Sequence, residues 1–551
     1  MTKGRMFLSG ASIAAVVVLL AAFSGKAGNE IDPPFPSWVF GHVVWEDEST
    51  TEGTYALVQG YLEHGIPVDG VIIDSPWETE YNTFEWDEEL YPKPQKLIDD
   101  LHKNDVYVTM WITEMVNFED PGYDYALENS FFIKGAEELT WWKGTGGMIN
   151  YENPEAVEWW HARMDKALDM GIDAWKCDGT DPYSMVKGPS RRRVHSDNYY
   201  EDFYYYSREH TGRKVLVMAR PKEQVLNESV FGLPTWTNPL GVGVYLRYAP
   251  VNTSFMSWVG DQDPTFDGLK IASRWILDSA KKDYLIIGSD IGGYRAPGPE
   301  KEVFIRWAQF GSLCPFMENG GHNEHRPWMF DRETMIIYRT YTLLHKMLLP
   351  YLYTEAVEGW QNGHSIMKPL PGLDDRYLLG RDVFVSPIQS PGGKKKVRLP
   401  KGDNWMPLFA DESYLKDAER CLITGTTVPL LKGGCSFTRT YDLGSYPVFF
   451  RSGSLIPIKP EAAPGLFRYL PGIGSMEHAL LLIPYAPGEE KELQRSVYIE
   501  GKEPVLVEAK ITSGAEVTEH IATIVDAKWP VIVVSAGWPS HPENVPAIEW
   551  R

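Results

Sequence analysis

The chain has 551 residues, of which 43% are hydrophobic and 13% aromatic. This length exceeds that of one ordinary hydrophobic core, so we predict a folded protein of two to four domains. Its 53 basic and 75 acidic residues give a net charge of −22, which repels phosphate backbones and anionic membrane surfaces and argues against nucleic acid as a partner.

Residues 1–28 have the pattern of a targeting segment. Lys3 and Arg5 precede an apolar stretch that begins at Met6 and is followed by small residues. This pattern predicts a secretory signal peptide, with an N-terminal membrane anchor as the alternative. Either one places the rest of the chain in the secretory pathway, secreted or lumenal, where the sequons at Asn227 and Asn252 are open to glycosylation.

Residues 29–362 alternate between short β-rich runs and stretches with helical spacing. Continuous apolar strands separated by helices indicate a parallel sheet covered on both faces, and eight of them indicate a closed (β/α)8 TIM barrel. An open doubly wound sheet is the alternative. The predicted strands are 38–45, 68–74, 105–113, 172–178, 214–220, 254–261, 284–290 and 312–318.

Six of the predicted strands end in a charged residue. The carboxyl ends of barrel strands converge on one mouth, where proteins of this fold carry their chemistry. Helix capping explains any one such residue but not six together. The six are Asp74, Asp178, Arg220, Asp261, Asp290 and Glu318.

The character of the sequence changes after residue 362. Strands bounded by Gly, Pro and Asp follow one another with no helices between them, which predicts a C-terminal all-β region of a proximal sandwich (363–460) and a distal sandwich (461–551). We expect Cys421 and Cys435 to pair across a loop, and Cys177 and Cys314 to be buried thiols.

The chemistry of the predicted mouth is that of carboxylates. The chain has no nucleotide-binding loop, no G-x-S-x-G elbow and no zinc-binding helix, so we predict no cofactor. His322 and His325, near carboxylates, leave metal binding open as an alternative. Two carboxylates that face each other suit cleavage of a glycosidic bond, where one attacks the anomeric carbon and the other protonates the leaving oxygen. Their surroundings must then push their two pKa values apart.

Several long stretches resemble glycoside hydrolase family 31, the family of retaining α-glucosidases and α-xylosidases, which also has α-galactosidase members. The resemblance covers residues 36 to 460. The stretches are GHVVW (41–45), GIPVDGVIID (65–74), the run from WVGD to DIGGY (258–294), the run from FIRW to HRPW (304–328), LLGRDVFVSPI (378–388) and PVFFRSGSLIPI (447–458).

The resemblance implies roles for particular carboxylates. GIDAWKCDGTDP matches the nucleophile strand of the family, which makes Asp178 the attacking group, and WVGD supplies Asp261 as the acid/base. Asp181 stands near the position of a family glutamate, and we interpret it as a group that holds the loop. The substrate-binding residues implied are Asp74, Lys176, Arg220, Trp258, Asp290, Glu318 and His322; for Trp258 a buried core position is the alternative.

The sequence departs from the family pattern in four places. One is the segment of about 40 residues between Arg220 and Asp261, which is longer than usual in the family and predicts an inserted loop at the site. Lys176 stands where many α-glucosidase members have tryptophan, and in this feature the chain looks more like the α-xylosidase or α-galactosidase members. Glu318, Asn319 and Gly320 replace a common Arg-Asn-His, with His322 two residues further on. The barrel follows the leader directly instead of a β-sandwich, so we expect another segment or a partner subunit to close the pocket.

These observations predict a retaining exo-α-glycosidase that hydrolyses terminal, non-reducing α-linked glucose, galactose or xylose through a covalent intermediate on Asp178. An α-transglycosylase would use the same intermediate and pass the sugar to another sugar. The alternative from a different class is a catalytically silent carbohydrate-binding or regulatory protein. The predicted partner is an oligosaccharide or glycoside, with membrane contact only through an N-terminal anchor.

Overall fold

The computed structural model describes residues 17–18, 31–178, 189–224, 246–372, 375–410, 412–423, 429–462, 477–483, 490–513, 520–524 and 531–533. Eight parallel strands form its central sheet. They are β1 (His42–Glu46), β2 (Gly70–Ile73), β3 (Tyr107–Ile112), β4 (Ala174–Cys177), β5 (Leu216–Ala219), β6 (Met256–Trp258), β7 (Ile287–Gly288) and β8 (Met317–Asn319).

The sheet closes into a barrel. The strands are hydrogen-bonded in chain order from β1 to β7, and β8 pairs with β1 through Met317 opposite His42. A parallel bridge between Asp290 and Glu318 joins β7 to β8 and closes the ring. The predicted (β/α)8 barrel is therefore confirmed, and the open doubly wound sheet is wrong.

Helices cover the outside of the barrel. In α6 the apolar residues at helical spacing, Leu269, Ala272, Ile276 and Ala280, are all buried, and the Thr265 side chain caps the helix by accepting from the Gly268 amide. The helices of this part of the chain are α1 (Thr51–Glu63), α2 (Pro94–His102), α3 (Tyr123–Glu128), α4 (Pro154–Leu168), α5 (Pro189–Thr211), α6 (Phe266–Ala280), α7 (Lys301–Gly311), α8 (Arg332–Met347) and α9 (Leu349–Asn362).

Two insertions extend the loops at the carboxyl ends of strands. After β3, strands Met115–Asn117, Leu139–Trp141 and Gly144–Met148 form a small antiparallel sheet, in which Trp141 pairs with Gly144. That register leaves Trp142 and Lys143 as a two-residue turn at the tip of a hairpin. After β5, strands Lys222–Gln224 and Leu246–Tyr248 pair antiparallel.

The region after α9 is rich in β-structure, as predicted, but its described residues also form a short helix, α10 (Glu412–Asp417), so the expectation of no helices is wrong there. An antiparallel five-stranded sheet is central. The described strands of the region are Met367–Pro369, Tyr377–Leu379, Val383–Val385, Lys394–Arg398, Trp405–Pro407, Ser436–Thr440, Val448–Arg451, Leu455–Ile458, Ala479–Leu482, Glu490–Val497, Val505–Ser513, His520–Ile524 and Val531–Val533.

Cysteine placement agrees with the sequence prediction. Cys421 and Cys435 form a disulfide in the C-terminal region. Cys177 and Cys314 are free and buried within the barrel. The pairing and the two buried thiols are therefore confirmed.

Buried arginines attach the barrel to the C-terminal region. The Arg495 guanidinium donates to Glu355 of α9 at 2.7 Å and to Asp382 at 2.5 Å. Arg306 of α7 is fully buried and donates to the carbonyl oxygens of Tyr441 and Ser445, each at 2.9 Å. Since both contacts need the two regions in fixed positions, they hold the barrel and the sheets as one packed unit.

Two residues of the N-terminal segment are described: Val17–Val18 pairs antiparallel with the strand Val531–Val533. In the part of the chain that the structure describes, no helix has the length and apolar character needed to cross a bilayer. The domain boundaries at residues 28, 362 and 460 stay predictions.

Candidate active site

The structure brings the charged strand ends together at one mouth of the barrel. The two predicted catalytic residues, Asp178 and Asp261, are bonded to the same guanidinium group. Arg220 donates from Nε to Asp178 Oδ1 at 2.8 Å and from Nη2 to Asp261 Oδ1 at 3.1 Å. Nε and Nη2 form one edge of a guanidinium, so the two carboxylates approach that edge side by side.

A glycine makes room for this arginine. Gly260, next to Asp261, has a φ of +79°, which favours glycine, and a Cβ there would lie 2.6 Å from Arg220 Nη1. The turn that carries Asp261 can therefore approach the guanidinium closely only without a side chain at residue 260.

Asp178 is the more buried of the two carboxylates, with its side chain 7% exposed against 30% for Asp261. The Trp111 indole N–H donates to Asp178 Oδ2 at 3.2 Å. The Asp178 amide donates to the Ile112 carbonyl at 2.9 Å, which continues the pairing of β4 with β3. Asp178 is thus fixed by its own backbone and by two side-chain donors, while Asp261 stands nearer to solvent.

Lys176 of β4 is a buried cation among the charged groups of the mouth, and its side chain is 4% exposed. Its ammonium group donates to Asp74 Oδ2 at 2.6 Å and lies 3.7 Å from the centroid of the Trp45 ring. Burial opposes its charge, but Asp74 and Asp290 outweigh this effect and raise the pKa of Lys176. Burial raises the pKa of Asp74, against the lowering effect of Lys176.

Trp258 is 1% exposed and lies beside both cations of the pocket. The Arg220 guanidinium carbon is 4.9 Å from its ring centroid, and Lys176 Nζ is 5.4 Å away. Trp258 therefore has the buried position given above as the alternative, and its ring contacts the two cations. A role in packing on a sugar stays a prediction.

Asp290 and Glu318 lie at the closing seam of the barrel and are 1% and 0% exposed. Burial is the main cause that raises the pKa of each carboxyl well above its usual value, and for Glu318 the charge of Asp290 adds to it. Among the residues that the structure describes, none of their four carboxyl oxygens has a hydrogen-bond partner. Both predicted residues therefore face the interior of the site with no partner from the described residues.

His322 lies at the rim of the mouth and is half exposed. Its Nδ1 is 2.7 Å from Asp47 Oδ2, and Asp47 also accepts from the Tyr294 hydroxyl at 2.9 Å. The other histidine of the metal alternative, His325, is buried, with its Nδ1 2.7 Å from the Ile291 carbonyl. Among the described residues, no three His, Cys, Asp or Glu side chains are grouped as a metal site.

Four aromatic side chains of the site were not predicted from the sequence. Trp45 stacks on Tyr294, with ring centroids 6.0 Å apart, and a Cβ at Gly320 would lie 2.3 Å from the Trp45 ring. Trp142, at the exposed hairpin tip, packs edge-on against Trp111 at 5.7 Å. The only sequence signal for the position of Trp45 was Gly320, which replaces a family histidine. Trp45 occupies the space beside residue 320 that a side chain there would need.

Two other sequence expectations fall partly or wholly outside the described residues. Asp181 lies outside them, and so does Asn227, whereas Asn252 is described and exposed. Most of the long segment between Arg220 and Asp261 is also outside them.

The fold and the site together define a (β/α)8-barrel protein with a carboxylate-lined mouth and a β-rich C-terminal region. The model of the glycosyl hydrolases family 31 TIM-barrel domain matches residues 32–355, and that of the family's C-terminal domain matches residues 351–456. The chain therefore belongs to glycoside hydrolase family 31.

Curated relatives match over most of this chain. It is 26% identical over 463 residues to the alpha-xylosidase XylQ of Lactiplantibacillus pentosus, covering 79% of this chain and 56% of the relative. It is 25% identical over 476 residues to neutral alpha-glucosidase C of Mus musculus, covering 79% and 48%. The chain thus spans about half the length of the curated relatives it matches.

Solved structures share the fold. A GH31 dextranase, FjDex31A of Flavobacterium johnsoniae complexed with glucose, superimposes with a TM-score of 0.69 at 19% identity, over 87% of this chain and 60% of that one. The GH31 alpha-xylosidase Xac1773 of Xanthomonas citri gives a TM-score of 0.69 at 17% identity, over 91% and 59%.

Proposed function

We propose that the protein is a retaining exo-α-glycosidase that hydrolyses terminal, non-reducing α-linked sugars. The observation that carries the proposal is the guanidinium of Arg220, one edge of which contacts both Asp178 and Asp261. Retaining enzymes need two carboxyl groups about 5 to 5.5 Å apart, whereas inverting enzymes place them about 6.5 to 9.5 Å apart. Two carboxylates on one guanidinium edge support the closer spacing.

In the proposed mechanism, Asp178 attacks the anomeric carbon while Asp261 protonates the leaving oxygen. The covalent glycosyl-aspartate is then hydrolysed by a water molecule that Asp261 deprotonates, so the sugar leaves with its α-configuration kept. The exposure of the two residues supports these roles: Asp178 is held by Trp111 and Arg220, and Asp261 stands where water and leaving group enter.

The proposed terminal sugar is glucose, galactose or xylose. The names of the curated relatives, α-xylosidases and α-glucosidases, support this class. Initial rates on nitrophenyl α-glycosides of the three sugars would rank them. Comparing free sugar with longer glycosides among the products would separate hydrolysis from transfer.

Covalent labelling tests the proposed function. A cyclophellitol-type probe of the matching sugar, incubated with the full chain, should label Asp178, as located by peptide mass spectrometry. Asp178→Asn should remain unlabelled. A protein that binds carbohydrate without turnover would show no label in the native chain, and that result would overturn the proposal.

Asp261→Ala should slow hydrolysis in a way that depends on the leaving group. General acid catalysis contributes about 10² to 10⁴ in rate. We expect a loss in this range for a natural disaccharide, and a much smaller loss in kcat/KM for a dinitrophenyl α-glycoside, whose leaving group needs no proton. Asp263→Ala is the matched control, because Asp263 is two residues away and largely exposed. Equal losses on both substrates would contradict the acid role of Asp261.

The charge of the pocket predicts poor turnover of anionic sugars. The described carboxyls outnumber the cations of the pocket, which are Lys176 and Arg220; the carboxyls are Asp74, Asp178, Asp261, Asp290 and Glu318. Placing the sugar carboxylate against the carboxylates of the pocket costs several kcal/mol. We therefore expect kcat/KM for a nitrophenyl α-glucuronide to be at least about 100-fold below that for the α-glucoside. Similar values for the two substrates would refute this prediction.

We also propose that the protein acts in the secretory pathway, secreted or lumenal. The apolar leader and the Cys421–Cys435 disulfide support this location, because disulfides persist in oxidising compartments. Sequencing the N terminus of the protein recovered from its native source would test it, since a start at Met1 in a cytosolic fraction contradicts the proposal.

A further inference from the structure

Asp290 and Glu318 occupy an unusual position, because they are bridge partners on the two strands that close the barrel. Directly opposite residues on neighbouring strands point to the same face of a sheet, so both carboxyls enter the barrel interior side by side. Both are buried, and none of their four oxygens has a hydrogen-bond partner in the described part of the chain.

The charged groups that face this pair already have other partners. Lys176 is bonded to Asp74, and Arg220 is bonded to Asp178 and Asp261. No cation among the described residues is therefore bonded to the pair itself. The groups acting electrostatically on the pair come from four other strands of the barrel and are Asp74, Lys176, Arg220 and Asp261.

Two adjacent buried carboxylates cannot both be ionised at small cost. Burial disfavours each charge, and the second charge adds repulsion, so such a pair titrates in two separated steps. Between those steps one proton lies between two carboxyl groups, where the acid O–H of one donates to the oxygen of the other. That arrangement also gives a partner to oxygens that have none among the described residues.

We propose that Asp290 and Glu318 share one proton, and that Glu318 is a positioning residue that acts through Asp290 and Lys176 on the sugar pocket. With one proton kept, the pair carries a single negative charge and Lys176 stays on Asp74. When the proton is released to solvent at high pH, the pair carries two charges and draws Lys176 away from Asp74. Sugar binding then weakens.

Only the effect on sugar binding depends on the proposed function; the shared proton does not, and thermal unfolding tests it without substrate. The raised pKa values mean that the folded chain keeps a proton that the unfolded chain has lost. Stability contributed by the protonated pair is full below the ordinary carboxyl range and is lost as pH rises through the raised pKa values.

Glu318→Gln has the same shape but no titrating proton, and Asp290→Asn is its counterpart. We expect each variant to have a melting temperature near that of the native protein at pH 5. As pH rises to 9, the melting temperature of the variant should exceed that of the native protein by on the order of 3 °C or more. Glu158→Gln, at an exposed site on α4, should melt at the native temperature across this pH range. A difference between Glu318→Gln and native protein that is constant with pH would overturn the shared proton.

The pH profile of activity tests the positioning role. Normalised to its own value at pH 6, kcat/KM of Glu318→Gln should keep its alkaline limb to higher pH than that of the native protein, whereas Glu318→Ala should raise KM throughout. Glu46→Gln is the control. Burial raises the pKa of Glu46 to about 7 at the same end of the barrel, so this variant removes another titrating carboxyl there and should leave the alkaline limb of kcat/KM unchanged. An unchanged alkaline limb in Glu318→Gln would refute the role, even if the melting result holds.

Discussion

Replacing Asp178 by alanine should abolish turnover without unfolding the chain. Loss of a catalytic nucleophile lowers kcat by on the order of 10⁶ in a serine protease, and we expect a similar loss here. The fold should persist, because Asp178 follows β4 and its neighbours Trp111 and Ile112 are held by β3. The measurement is kcat on an activated nitrophenyl α-glycoside, with the melting temperature as the check on folding.

Added azide makes this prediction specific to the role of Asp178. In Asp178→Ala, azide can enter the face that the carboxylate has left, so the expected product is a β-glycosyl azide. In Asp261→Ala, azide attacks the glycosyl-enzyme from the opposite face and gives an α-glycosyl azide. The same anomer from both variants would show that the two roles are wrongly assigned.

Arg495→Ala should cause a large loss of stability although it lies away from the mouth. The arginine side chain is 5% exposed, and its removal leaves the buried carboxylates Glu355 and Asp382 without their main cation. Breaking such a buried pair costs about 3 to 5 kcal/mol. Urea and thermal unfolding should both show the loss, with little change in kcat for protein that remains folded.

Arg381→Ala is the matched control for this prediction. Arg381 contacts the same Glu355 at 2.8 Å, but its side chain is 39% exposed. The Arg381 guanidinium is partly solvated and Arg495 still neutralises Glu355 when it is removed, so the loss should be at most about 1 kcal/mol and this variant should unfold close to the native protein. If the two alanine variants lose equal stability, burial of the Arg495 cluster is not what attaches the C-terminal region to the barrel.

The barrel was predictable because each strand is a continuous apolar run. A strand buried on both faces needs no alternation, and β2, with the sequence GVII, is buried at every position. Charges placed directly after such runs, as at Asp74 and Asp178, therefore marked the mouth. The short helix α10 was missed because it lies between strands and has only six residues.

The wall of the pocket was not predictable, because it depends on contacts between distant loops. Asp47, Tyr294 and His322 meet from the loops after β1, β7 and β8, and no spacing in the sequence reports such a meeting. Trp142 reaches Trp111 only because a two-residue turn fixes the hairpin register. Lys176 entered the prediction through the family resemblance alone.

The Cys421–Cys435 cross-link has a practical consequence for anyone who produces this protein. It spans a separation of 14 residues, for which chain-entropy arguments give about 3 kcal/mol of stabilisation. Material expressed in a reducing bacterial cytoplasm would carry two thiols there and melt lower than material exported to an oxidising compartment. Variants should therefore be ranked only within batches whose thiol content has been titrated.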